Sequence, residues 1–371
     1  MKFASLLLMS AVVLLSCEKE NVSLDAGFYI SANKNVIQSN GVDVVTFSAI
    51  LDGKDVTAET DFYFASDMTP ISGNTLSVTA PGIYKVIGSY GTFDTTKDPL
   101  SITAIDMAVP AAAADPSVQN TSFVHRAFLN QYTGTGCGYC PGMIRALRAA
   151  FEDAEMQEMA VHAAVHSYSA GDPAYISGPK ASGYPYLEID MALSFSYDLD
   201  PDGKAGVLKT AVSERVAAPA KVGISANPVL NDDILVVTVE VKAAETGEYN
   251  LGVWFMQDNV YGQQTDYLGI ADNSYNYHEN CVRSADSRFG NTYAGYPLGE
   301  IKAGKTVKRT FVLDLDEPID EIGTTRKEAW KLKNMNDLHF AAFVTAKNGR
   351  NYQVVNVVDC PIDQPTPYEY K

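Results

Sequence analysis

The chain has 371 residues, with 28 Lys and Arg against 45 Asp and Glu and a formal charge of −17 at pH 7. That length suggests two or three domains, and 46% hydrophobic with 20% charged residues excludes a disordered, collagenous or polytopic membrane chain. The acidic balance excludes nucleic acid as a partner, because phosphate binding needs basic surface, and five Cys, an odd number, leave at least one thiol with a separate fate.

Lys2 is followed by an uncharged apolar run, Ala4 to Leu15, that is too short to span a bilayer. It ends in Leu14-Leu15-Ser16-Cys17, which resembles a bacterial lipobox. The resemblance implies a signal peptide over 1–16, lipidation of Cys17, and a membrane partner reached through the acyl chains. The other reading is a plain signal peptide cut after Ser16. Residues 17–24 form a tether whose Glu18-Lys19-Glu20 resembles acidic export signals. The expected location is the outer membrane, on its periplasmic face or at the cell surface.

Residues 25–107 read as all-β. Val45, Phe47, Ala49 and Leu51 alternate with Val44, Thr46, Ser48 and Ile50 and stop at Asp52-Gly53, a hairpin turn signal. Leu76 to Ala80 and Ile83 to Ile87 read as further strands around Pro81-Gly82, and the spacing predicts a β-sandwich. The segment Ala80-Pro81-Gly82-Ile83-Tyr84 resembles bacterial immunoglobulin-like domains. Residues 108–119, with small residues and two prolines, read as a semi-extended linker.

The character changes over 120–217. A strand from Phe123 to Tyr132 leads through Thr133-Gly134-Thr135-Gly136 to Cys137-Gly138-Tyr139-Cys140-Pro141 and a helix reaching about Met159. Two thiols at this spacing, at a helix start, can close a small disulfide, and the helix N-terminus favours the thiolate of the first. Cys140 shares a helical face with Ile144, Leu147 and Phe151, so it is expected buried and Cys137 accessible, as an attacking and a resolving thiol require. A purely structural disulfide is the competing reading; zinc would need a second ligand pair, and no such spacing occurs. A buried strand, Met159 to Ser167, follows, then Gly183-Tyr184-Pro185, a strand to Met191, and a helix over Lys204 to Val216. His162 and His166 share one face of their strand; without the Glu of a zincin helix they do not read as a protease site, and His166 is either a neighbour of the dithiol or a satisfied core residue. Asp198-x-Asp200-x-Asp202-Gly203 matches the first half of a calcium loop, although Lys209 stands where a bidentate acid belongs. Weak Ca2+ binding and an acidic turn capping the next helix are the two readings.

This segment resembles the thioredoxin-like superfamily through Cys137-Gly138-Tyr139-Cys140 and Gly183-Tyr184-Pro185. The resemblance implies a cis-proline at Pro185 opposite the dithiol, with Tyr184 and Pro185 contacting a substrate peptide.

Residues 218–364 return to β, with strands Ile234 to Val241, Asn250 to Met256, Thr306 to Leu315, His339 to Ala346 and Tyr352 to Val358, a second sandwich before a tail over 365–371. The long interval 257–305, rich in Tyr, Asn and Gly, has the length of a functional loop. Once Cys17, Cys137 and Cys140 are assigned, Cys281 and Cys360 remain and are expected to pair in an oxidising compartment. The sequence around Tyr249 to Asp258 and Tyr277-His278-Glu279-Asn280-Cys281-Val282-Arg283 is similar to the outer-membrane-protein-28-related family of Gram-negative lipoproteins over about 120–360.

The expected fold is therefore multidomain α+β: an immunoglobulin-like sandwich, a thioredoxin-like α/β domain over 120–217 and a C-terminal sandwich. Two functions compete. One is thiol–disulfide exchange on cell-envelope or surface proteins by Cys137 and Cys140. The other is a non-catalytic surface lipoprotein that binds glycan, peptide or protein through its β-domains.

Overall fold

The computed structural model describes residues 27–195, 205–287, 292–315 and 337–371. The signal, the tether, Cys17 and the acidic triplet Asp198, Asp200 and Asp202 lie outside them. The N-terminal strands are β1 (Phe28–Ala32), β2 (Val36–Gln38), β3 (Val45–Leu51), β4 (Lys54–Asp55), β5 (Asp61–Phe64), β6 (Pro70–Ile71), β7 (Thr75–Leu76), β8 (Gly82–Tyr90), β9 (Phe93–Asp94) and β10 (Leu100–Ile105). They form two sheets, β1-β3-β4 with β7 on β3, and β2-β10-β8-β5-β6 with β9 on β8. Alternate residues of β3 face inward, so Val45, Phe47 and Ala49 meet Phe62, Val86 and Ile102 in a closed core. Asp52 and Gly53 both take positive φ, the backbone that a tight hairpin after β3 requires.

The second half holds β11 (Ala127–Thr133), α1 (Cys140–Phe151), α2 (Ala154–Met159), β12 (Ala160–His166), β13 (Tyr186–Ile189), β14 (Leu193–Phe195) and α3 (Ala205–Val216). After them come β15 (Val222–Asn231), β16 (Ile234–Ala243), β17 (Gly247–Gln257), β18 (Val260–Tyr261), β19 (Tyr277–His278), β20 (Cys281–Asp286), β21 (Tyr296–Ile301), β22 (Thr306–Asp314), β23 (Leu338–Asn348) and β24 (Asn351–Pro361).

The expected α/β domain of its own over 120–217 does not exist. Its strands belong to a nine-stranded sheet, β14-β13-β11-β12-β20-β17-β23-β24 with β21 on β17. The join is β12 against β20, where Ala164 faces Cys281 in parallel register and Ala164 N donates to Asn280 O at 2.8 Å. The physical reason lies in β12 itself. Six of its seven residues are buried, so it is an inner strand, and its free edge must find a partner. Strands dominate the described residues, and the three α-helices cover only one end of the sheet.

On that face, α1 and α3 pack Met143, Leu147, Leu208 and Val212 onto Leu129 and Leu187. At the other end of the same sheet, the three-stranded sheet β15-β16-β22 closes a sandwich over Val253, Phe255, Phe340 and Ala342. The C-terminal sandwich expectation therefore holds in this coarser sense, but its second sheet is shared with the dithiol segment.

The linker is pinned rather than free. Lys242, only 2% exposed, donates from Nζ to Asp115 Oδ2 (2.9 Å), Val118 O (2.6 Å), Ser117 O (3.3 Å) and Tyr370 Oη (3.1 Å). The N-terminal sandwich docks on β22 through Asn35, whose amide exchanges two hydrogen bonds with the Thr310 backbone.

Candidate functional site

The end of β11 delivers the dithiol. Thr133 closes the strand, residues 134–139 turn, and α1 starts at Cys140 with Pro141 in its first turn, where its missing N–H costs nothing. Cys137 and Cys140 form a disulfide, with Cα atoms 5.4 Å apart.

Cys137 is 3% exposed and Cys140 is fully buried, so the expected contrast between an open and a closed thiol is not found. The cover is a strap, residues 262–268, from the long interval after β17. Thr265 N donates to Thr135 O at 2.7 Å, and Tyr267 N donates to Gly138 O at 2.8 Å. The Gln264 side-chain amide donates to Cys137 O (3.0 Å) and Thr135 O (3.3 Å). Glycine at 138 lets the strap lie close, because a Cβ there would fall on the Tyr267 ring and push it aside. Tyr267 itself is 69% exposed and meets Tyr139 edge-on, so the strap's outer side is wet.

The Tyr184–Pro185 bond is cis. Tyr186 pairs with Tyr132 in the β11–β13 ladder, so Pro185 lies at the strand end from which the dithiol loop departs. The Tyr184 ring does not reach the cysteines directly. It packs edge-on against Tyr168 at 5.3 Å, shares a hydrogen bond with Ser167 (2.8 Å), and Tyr168 in turn covers Gly134 and Gly136.

Behind this loop is a buried polar group that the sequence reading did not assemble. Asp172 Oδ2 accepts from Thr135 N at 2.5 Å and meets His166 Nδ1 at 2.9 Å, while Oδ1 accepts from Ala174 N at 2.8 Å. The other ring nitrogen of His166, Nε2, lies 3.6 Å from Cys281 Sγ. Burial alone would lower the His166 pKa. The charges on Cys281 and Asp172 and the hydrogen bonds to both outweigh it and push it up to about 10. Asp172 also feels burial, which opposes its ionisation, but His166 and two backbone donors hold it well below the usual carboxylate range. His278 stands edge-on to His166 at 4.9 Å and its Nε2 bonds Gly262 O at 3.0 Å. Burial and the His166 charge lower its pKa to about 4. Asp172 had one signal in the sequence, its place between Gly171 and Pro173. Cys281 had been assigned elsewhere by parity.

The expected Cys281–Cys360 disulfide does not form; both thiols are free and buried. The sheet order explains it. Strands β17 and β23 lie between β20 and β24, and three strand spacings come to about 14 Å, far beyond disulfide reach. Cys360 instead sits in the apolar core beside Phe340, where burial raises its pKa.

A cavity of about 510 Å3 opens over this face of the sheet. Ala160, His162, Ala164 and His166, alternate residues of β12, form its floor, and Ile144, Leu147, Arg148 and Phe151 of α1 form a wall. His162 bonds Gln131 at 3.1 Å and Asn280 at 3.2 Å; burial lowers its pKa to about 4. Arg148 ties α1 to Ser274 and lies over the Tyr275 ring at 4.6 Å. Among the described residues, no group of three His, Cys, Asp or Glu is placed to hold a metal ion, and no helix is long and apolar enough to cross a membrane.

No family model matches the chain, and no curated protein matches it. Among solved structures, HBP35 of Porphyromonas gingivalis aligns over 67% of this chain and 78% of its own, at 17% identity and a TM-score of 0.49. Three N-terminal domains of the bacteriophage RB49 outer capsid protein Hoc align over 93% of this chain and 99% of theirs, at 9% identity and a TM-score of 0.13. At these values neither carries a fold or a function over to this chain.

Proposed function

We propose that this chain is an envelope lipoprotein, anchored through Cys17 and akin to the outer-membrane-protein-28-related lipoproteins, that exchanges thiols and disulfides with protein partners. The observation that supports it most is the Cys137–Cys140 disulfide at the N-terminus of α1. The helix end stabilises a thiolate at either sulfur as it forms. A partner thiolate attacks Cys137 Sγ, the Cys137–Cys140 bond breaks, and Cys140 leaves as the thiolate. The partner's second thiol then releases the reduced pair, so the partner is oxidised and this protein reduced. The strap over Cys137 makes that attack conditional on opening.

The second reading is a surface protein that binds glycan, peptide or protein through its β-domains, with a purely structural disulfide. The burial of Cys137 favours it. Cys140→Ser in cells separates the two: exchange requires mixed disulfides through Cys137, and Cys137→Ser must capture none. If Cys140→Ser traps no partner and the native disulfide resists glutathione until the protein unfolds, the binding reading stands.

A further inference from the structure

We propose that Cys281, with His166 and Asp172, forms a second reactive-thiol site, distinct from the dithiol, whose substrate is a small hydroperoxide. None of the three residues is more than 1% exposed. Asp172 is fixed through both oxygens, by Thr135 N and Ala174 N as well as by His166. It therefore orients the imidazole, and the free edge of His166 has Cys281 Sγ as its partner at 3.6 Å. A nucleophile within reach of a base that a third group orients is the arrangement that activates a thiol.

The packing around the triad holds the same arrangement. Arg283, two residues further along β20 and buried, donates to Pro173 O at 3.0 Å and so holds the backbone next to Asp172. His278 closes the side of His166 that faces the strap, held there by Gly262 O. Cys360 supplies an internal contrast. It is equally buried and free and also has polar surroundings, the Thr366 hydroxyl as hydrogen-bond partner and the charges of Asp359, Glu369 and Arg126, but it packs beside Phe340 where Cys281 has the His166 imidazole.

The substrate class follows from access. The cavity reaches His166, Ala164 and Asn280 around Cys281, and the sulfur lies behind that wall with no exposed surface. Only a small uncharged electrophile passes such a wall without unfolding it, which fits a hydroperoxide and not a bulky acyl ester. The Cys281 thiolate attacks one peroxide oxygen, an S–O bond forms and the O–O bond breaks. The departing hydroxide or alkoxide takes the proton of the His166 imidazolium. Sulfur is oxidised to the sulfenic acid, and the peroxide is reduced to water or an alcohol.

The test uses the full chain with Cys137–Cys140 oxidised. It is exposed to equimolar hydrogen peroxide at pH 7, quenched at intervals into denaturant containing dimedone, and mapped by mass spectrometry. Cys281 should form sulfenate at least tenfold faster than Cys360. His166→Gln, checked for native near-ultraviolet circular dichroism, should erase that preference and leave Cys360 unchanged. Equal rates at the two thiols in the native protein overturn the proposal without reference to any variant. So does a stable thioester on Cys281 after p-nitrophenyl acetate with no sulfenate after peroxide, which would make the site an acyl-transfer centre instead.

Discussion

Lys242 and His166 are both buried cations paired with an aspartate, yet they are held in opposite ways. Lys242 has three protons and shares them among four acceptors, Asp115, two linker carbonyls and the Tyr370 hydroxyl. Nothing is left for chemistry, and the cluster fastens the linker to the C-terminal sandwich. His166 has two ring nitrogens, one spent on Asp172 and one turned to a thiol beside a cavity. A saturated buried charge locks a fold, whereas one with a transferable proton and an adjacent void is equipped to react.

The largest effect expected on this comparison is at the lock. Lys242→Met leaves Asp115 without its cation and should cost roughly 3–5 kcal/mol in urea unfolding. A loss below about 1 kcal/mol, the level of a surface pair, would show that the linker is not fastened there.

Acid separates the two regions next. His162 and His278 each have a folded pKa of about 4, below the ordinary value of about 6.5. Their contribution to stability is complete above about pH 6.5 and is lost as pH falls toward 4, by at most on the order of 3 kcal/mol each. Asp115 has a lowered pKa, which its own burial opposes and the bonds from Lys242 and Tyr370 secure, so the lock survives that interval. His166, with its pKa raised to about 10, contributes fully below about pH 6.5 and loses that contribution as pH rises from there to about 10, so it too is intact in acid. Hydrogen exchange at pH 7 and pH 5 should therefore show β12 and the strap loosening before β16 and the linker; uniform loosening would contradict this.

The smaller effects concern the strap. Gly138→Ala forces the Tyr267 ring aside and should speed reduction of Cys137–Cys140 by dithiothreitol about tenfold, at a cost of about 1 kcal/mol in stability. Tyr267→Ala, which removes a mostly exposed ring, should speed it about threefold with a stability change under about 0.5 kcal/mol. Unchanged reduction rates in both would mean that the strap does not govern access.

Much of this was legible from periodicity. Alternation gave β3 its inner face, and the same rule put His162 and His166 on one side of β12, where they became the cavity floor. Cys137-x-x-Cys140 before an apolar helical stripe located the dithiol and α1. The contacts made by the long interval 257–305 were not legible. Gln264, Tyr267 and His278 act through backbone and polar contacts that leave no repeat in the sequence, and which loop settles over which strand is decided by tertiary packing. The same ignorance misplaced the domain border. Periodicity says that β12 is buried; it does not say which strand covers its edge. The pairing of Cys281 with Cys360 rested on counting thiols, and counting contains no distance.

The contact between Ala164 and Cys281 also sets an order of events in time. A ribosome releases β11, α1 and β12 long before β20, so the inner strand waits with an unsatisfied edge while more than a hundred further residues are made. During that interval its open edge can pair with another chain, a hazard that a chaperone would suppress. The four-residue Cys137–Cys140 segment needs no such partner, and its bond can close while the sheet around it is still missing. A fragment ending near Val216 would keep the dithiol but leave the β12 edge bare, and aggregation of such a fragment would be a property of the missing strand, not of the chemistry it was cut out to study.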